Sequence, residues 1–146
     1  MDENRGTALH MAVNFGETRI VEALVDAIMA YNGESALKLR NRRGNTALHI
    51  AALRGFTRMC RCIIGEKGER KDLIKVKNDL GETPLFLAAL ACHNHTFVYL
   101  HNASKDSGVS PAINDNHNNT ILHNAIADEV FIKQSNPLLF ISLFLY

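Results

Sequence analysis

The chain has 146 residues, 47% of them hydrophobic and 21% charged, a balance that fits one soluble domain or a short solenoid and excludes a disordered chain. A formal net charge of +1 excludes the strongly basic surface on which phosphate-neutralising proteins depend, so nucleic acid is not an expected partner. Cys60, Cys62 and Cys92 are an odd set, and the chain opens on Asp2 and Glu3 rather than on a basic and then apolar leader. It therefore reads as intracellular with reduced thiols.

Taken in chain order, one short pattern recurs: Thr7-Ala8-Leu9-His10, Thr46-Ala47-Leu48-His49, Thr83-Pro84-Leu85-Phe86 and Thr120-Ile121-Leu122-His123, beginning 39, 37 and 37 residues apart. Such a period marks a helical array. Asp2, Asn41, Asn78 and Asp115 stand five residues before each threonine, and Arg5, Gly44, Gly81 and Asn118 stand two before it. Each threonine is placed to cap the free N–H groups that open a helix, and Pro84 sits where its missing N–H costs nothing. An alanine pair then allows close helix approach. Second helices follow with apolar residues at helical spacing: Ile20, Val21, Leu24, Val25 and Ile28; then Met59, Cys60, Ile63 and Ile64; then Phe97, Val98 and Leu100. Nine residues after each threonine come Gly16, Gly55, Cys92 and Glu129. Short alternating runs, Leu37-Lys38-Leu39, Ile74-Lys75-Val76 and Ala112-Ile113, predict hairpin-like fingers ahead of each Asp or Asn. One such unit buries too little apolar surface to order itself, so neighbours must stack.

These residues resemble the ankyrin repeat, whose pattern runs Asp/Asn-x-x-Gly-x-Thr-Pro-Leu-His-x-Ala-Ala and closes its first helix with glycine. The resemblance implies an all-α solenoid of helix-turn-helix units with β-hairpin-like finger loops. Repeats are expected over about 2–40, 41–77 and 78–114, with a partial one over 115–131. The ankyrin period is about 33, so the extra residues are expected between each second helix and the next finger. More narrowly, the wording of 44–56, 81–90 and 120–126 is similar to plant ankyrin proteins of the accelerated-cell-death type. In those proteins more repeats precede these and a membrane domain with a Pro-Gly-Gly motif follows. That likeness implies a regulator of defence, cell death or salt response at the cytoplasmic face of the plasma membrane.

Past Phe131 the helical pattern breaks at Pro137, and residues 132–146 form a divergent apolar tail. The tail is shorter than the roughly 20 residues a spanning helix needs. It reads as the end of a truncated product, a gene product without function being one alternative, or as a segment folding back over the last repeat.

His10, His49 and His123 occupy the motif position, where the resemblance gives the imidazole a structural bond to loop backbone. Cys92, His93 and His95 form the one cluster that could hold zinc or support hydrolysis, but their spacing matches no zinc motif. No elbow, phosphate loop or His-Glu-x-x-His pattern is present. The reading is a protein-binding module, with no catalytic residues, no cofactor and no metal.

Charge is uneven. Seven basic residues and no acidic one lie between Lys38 and Arg61. They form either a solvated face or a patch that steers an acidic peptide or anionic lipid head groups. The expected partner contacts are Arg42, Arg43, Asp79, Leu80, Asn116 and His117 at finger tips, with Asn45, Arg54, Phe56 and Glu82 beside them. The expected structural residues are Thr7, His10, Gly44, Thr46, His49, Gly81, Thr83, Thr120 and His123.

Overall fold

Residues 6–105 are described by a computed structural model. Asp2, Arg5, the finger residues Asn116 and His117, Thr120 and His123 of the fourth repeat, and the tail lie outside the described residues.

The helices are α1 (Ala8–Phe15), α2 (Thr18–Ala30), α3 (Ala47–Leu53), α4 (Thr57–Ile64), α5 (Pro84–Leu90) and α6 (Asn94–Lys105). They alternate between two layers: α1, α3 and α5 pack in succession, as do α2, α4 and α6, and each first helix also packs on the second helix that follows it. The alanines allow this closeness. Ala51, Ala52, Ala88 and Ala89 are fully enclosed between the layers, beside Leu48 and Leu85. From the other layer Val21, Val25, Met59, Cys60, Ile63, Ile64, Phe97 and Leu100 complete one continuous core.

Cys60 lies wholly inside that core, and burial pushes its thiol up to about 12. All three cysteines are free thiols. The positions closing α1 and α3 are Gly16 and Gly55, with φ of 76° and 73°, and Cys92 takes the same left-handed conformation at 59°. A side chain there crowds the following carbonyl, which glycine avoids.

Two expectations change. The first two alternating runs before the fingers are not strands: Glu34–Lys38 and Lys71–Lys75 are single 3-10 turns, and Ala112-Ile113 lies outside the described residues. Their apolar residues fit either period, and burial decides, because a 3-10 turn drives Leu37, Leu73 and Ile74 into the core. Only the residues just after them, Leu39 and Val76, are extended. Along the second helices, Ile20 and Val98 are exposed rather than buried.

In the first two repeats the extra residues do fall between the second helix and the finger. In the second repeat they return Arg70 to the end of α4, where it is almost wholly buried. Its Nε donates to the Ile63 carbonyl at 2.8 Å and its Nη2 to the Cys62 carbonyl at 3.0 Å, satisfying acceptors that a helix terminus leaves open. Replacing Arg70 with Ala strips buried carbonyls of their donors, so urea unfolding is expected to show a loss of about 1–3 kcal/mol. The exposed Arg19→Ala is expected to change stability by less than about 0.5 kcal/mol.

Candidate finger and inner-helix surface

Each described finger is built by one asparagine. The Asn41 Oδ1 accepts the N–H groups of Arg43 at 2.9 Å and Asn45 at 3.0 Å, its own N–H donates to the Asn45 carbonyl at 2.9 Å, and its carbonyl accepts from Gly44 at 3.0 Å. Asn78 repeats the set with Leu80 at 3.0 Å, Glu82 at 2.9 Å, the Glu82 carbonyl at 2.9 Å and Gly81 at 3.0 Å. A short side-chain amide mimics the backbone of a turn in this way. Gly44 and Gly81 have φ of 73° and 79°, as a glycine two before the threonine predicts. The fingers also touch: the Asp79 N–H donates to the Arg43 carbonyl at 3.3 Å.

Histidine joins each finger to the repeat before it. The Thr46 N–H donates to His49 Nδ1 at 3.1 Å. A backbone N–H can only donate, so Nδ1 carries no proton and the ring is the neutral Nε2–H form. The Thr46 hydroxyl, 2.8 Å from Nδ1, must therefore donate as well. Nε2 in turn donates to the Glu82 carbonyl at 3.1 Å, in the next finger. His10 does the same, with the Thr7 N–H at 3.1 Å, the Thr7 hydroxyl at 2.8 Å and the Asn45 carbonyl at 2.9 Å. In both, the imidazole takes the place that glutamate holds in a capping box. The third repeat has buried Phe86 there, and the Thr83 hydroxyl instead accepts the Phe86 N–H at 3.2 Å.

Of the expected contacts, Arg42, Arg43, Asp79 and Leu80 are exposed at the tips. Asn45 and Glu82 are half-buried between fingers, where both accept from Asn78 Nδ2, at 2.9 and 2.8 Å. Phe56 packs under Gly16 of the preceding repeat. Arg54 donates to Asn14 at 2.6 Å. The basic run does not form one patch. Lys38 pairs with Asp72 at 2.6 Å and Arg58 with Glu22 at 2.9 Å, Arg40 donates to the Lys77 carbonyl, and Arg61 lies over the Tyr99 ring at 5.3 Å. Arg42 and Arg43 stand at the finger tip and Arg54 at the end of α3, whereas Arg58 and Arg61 belong to α4 in the other layer.

Sequence reasoning missed Phe15, Leu53 and Leu90, which are exposed at the ends of α1, α3 and α5. The available signal was their place beyond the alanine pair, past the positions that face the other layer. In the Cys92-His93-Asn94-His95 cluster, His93 packs under Gly55 as Phe56 does under Gly16, and His95 is exposed. Among the described residues no three His, Cys, Asp or Glu side chains stand where one ion could be held, and no helix is long and apolar enough to cross a membrane.

The same atoms thus make the same joint at His10 and at His49, and a family model described as "Ankyrin repeats (3 copies)" matches residues 1–75. The chain belongs to the ankyrin-repeat family. A Dictyostelium discoideum protein named as a probable serine/threonine-protein kinase is 31% identical to this ankyrin chain over 90 residues, 61% of the chain and 9% of that relative. The chain therefore spans less than a tenth of that relative's length.

Two outcomes test the joint. Burial holds His49 at about 4 against an ordinary 6.5, outweighing the acceptor at Glu82, and burial likewise lowers His10. Below pH 6.5 the unfolded chain binds a proton that folded His49 refuses. Its contribution is full above pH 6.5 and lost progressively down to about 4. Between pH 7 and 5, urea unfolding is expected to show about 2 kcal/mol of loss from this residue, removed in His49→Gln. Separately, Gly68→Ala is expected to cost about 1 kcal/mol, because its φ is 70° and no atom lies within 4 Å of a new Cβ. Gly44→Ala is expected to cost clearly more, since its Cβ would fall 2.6 Å from the Asp79 backbone nitrogen.

Proposed function

We propose that this ankyrin module holds an acidic, partly apolar peptide segment of another protein along its finger tips and the ends of its first helices. The observation that carries the reading is the exposure of Leu53, Leu80 and Leu90, at 42%, 57% and 40%, together with that of Arg42 and Arg43 at the finger tip. Covering exposed leucines is favourable, because burial removes apolar area from water. The arginines add attraction that salt weakens. Asn116 and His117 are proposed to extend the same surface into the fourth repeat.

The likeness of 44–56, 81–90 and 120–126 to the accelerated-cell-death-type proteins supports a plant setting, with the module part of a membrane-tethered regulator of defence, cell death or salt response. A fluorescent fusion in plant cells that stays diffuse in the cytosol would count against that setting, leaving the binding surface unaffected.

Fluorescence titration with an acidic amphipathic peptide tests the surface. Arg42→Glu with Arg43→Glu is expected to weaken binding at least about tenfold, and about 0.5 M salt is expected to do the same to the parent chain. Leu53→Asp is expected to weaken it at either salt level. Binding that ignores all three changes rules the surface out, and binding to anionic vesicles in place of the peptide assigns the arginines to lipid head groups.

A further inference from the structure

The two described fingers share one scaffold and carry opposite charge. Asn41 and Asn78 hold their loops with matching hydrogen bonds, and Gly44 and Gly81 turn them at nearly the same φ, 73° and 79°. On that frame, residues 41–46 place Arg42 and Arg43 and no acid, whereas 78–83 place Asp79 and Glu82 and no base. Position for position, Arg42 corresponds to Asp79, Arg43 to Leu80 and Asn45 to Glu82. The scaffold does not demand this reversal, because the asparagine does the same work beneath either set. Arg42, Arg43, Asp79 and Leu80 are all exposed.

The two tips also touch, so a bound segment meets both charges. The Asp79 N–H donates to the Arg43 carbonyl at 3.3 Å. A Cβ on Gly44 would run into the Asp79 carboxylate, which therefore lies against the first finger. An acidic segment spanning both fingers would be attracted at one and repelled at the other. Complementary charges fix register across an interface, and opposed like charges cost binding.

We infer that the segment bound by this surface is not uniformly acidic: it sets acidic residues against Arg42 and Arg43 and a lysine or arginine against Asp79, which selects against acid alone. The inference rests on the peptide-binding reading proposed above and names the charge order of the partner. The stack gives the spacing. Packed helices stand about 8–10 Å apart and an extended chain advances about 3.3 Å per residue, so acid and base are about three residues apart. An apolar residue beside the base would cover Leu80, which removes apolar area from water.

Fluorescence titration of the full chain with two peptides of equal length and identical apolar residues tests this. One peptide carries acids alone, and in the other a lysine stands three residues from the acids. The mixed peptide is expected to bind at least about threefold more tightly at low salt, and about 0.5 M salt is expected to bring the two together. Asp79→Asn is expected to bring the ratio to about one and Asp79→Lys to reverse it, with circular dichroism showing that each variant is folded. An all-acidic peptide held as tightly as the mixed one overturns the charge order and leaves the peptide surface standing. So does a preference that Asp79→Lys does not move, or one that salt leaves intact. Failure of both peptides to bind overturns the surface itself, and the charge order with it.

Discussion

Everything in this structure hangs on one constraint: a finger loop has no core of its own and is held by an imidazole from the repeat before it. The His49 ring satisfies the opening of α3 with one nitrogen and the Glu82 carbonyl with the other. Because the threonine N–H fixes which nitrogen is bare, the ring can serve both only when neutral. Burial enforces that neutrality, and the ring orientation sets where the next finger stands. The asparagine then shapes the finger from within. At α1 and α3, helix start, the shape of the next finger and repeat spacing are consequences of one hydrogen-bonded chain of groups.

Much of this was legible in the sequence where a residue type has a single physical use. A threonine before an apolar helix, a histidine three residues later and a glycine two residues before the threonine each appear in the role the pattern implies. The roles that escaped are those decided by neighbours. Leu37 and Ile74 suit a strand or a turn equally, and the space beneath α2 and α4 chose the turn. Ile20 carries the same periodicity as Met59, but no spacing rule can tell that one has a helix beside it and the other does not. Asn41 was visible as a motif residue, while its work on two N–H groups of its own loop emerges only from geometry.

The candidate surface was legible in part for the same reason. Arg42 and Arg43 follow from the finger register, so their exposure was readable. Arg58 and Arg61 are neighbours of that run in sequence but lie on the other layer, against Glu22 and Tyr99. Asn45 and Glu82 stand among the finger residues, yet their oxygens are engaged by Asn78. A charge cluster counted along the chain therefore overstates how many basic residues stand together, and it leaves out the exposed leucines at the ends of α3 and α5.

The buried Arg70 has a mechanical consequence. It ties the end of α4 to the segment leading into the next finger, so the extra residues of the longer period form a stapled elbow rather than slack. Tension applied along the stack then meets a stiff linkage at this joint, and the load passes into the helix terminus instead of lengthening the connection.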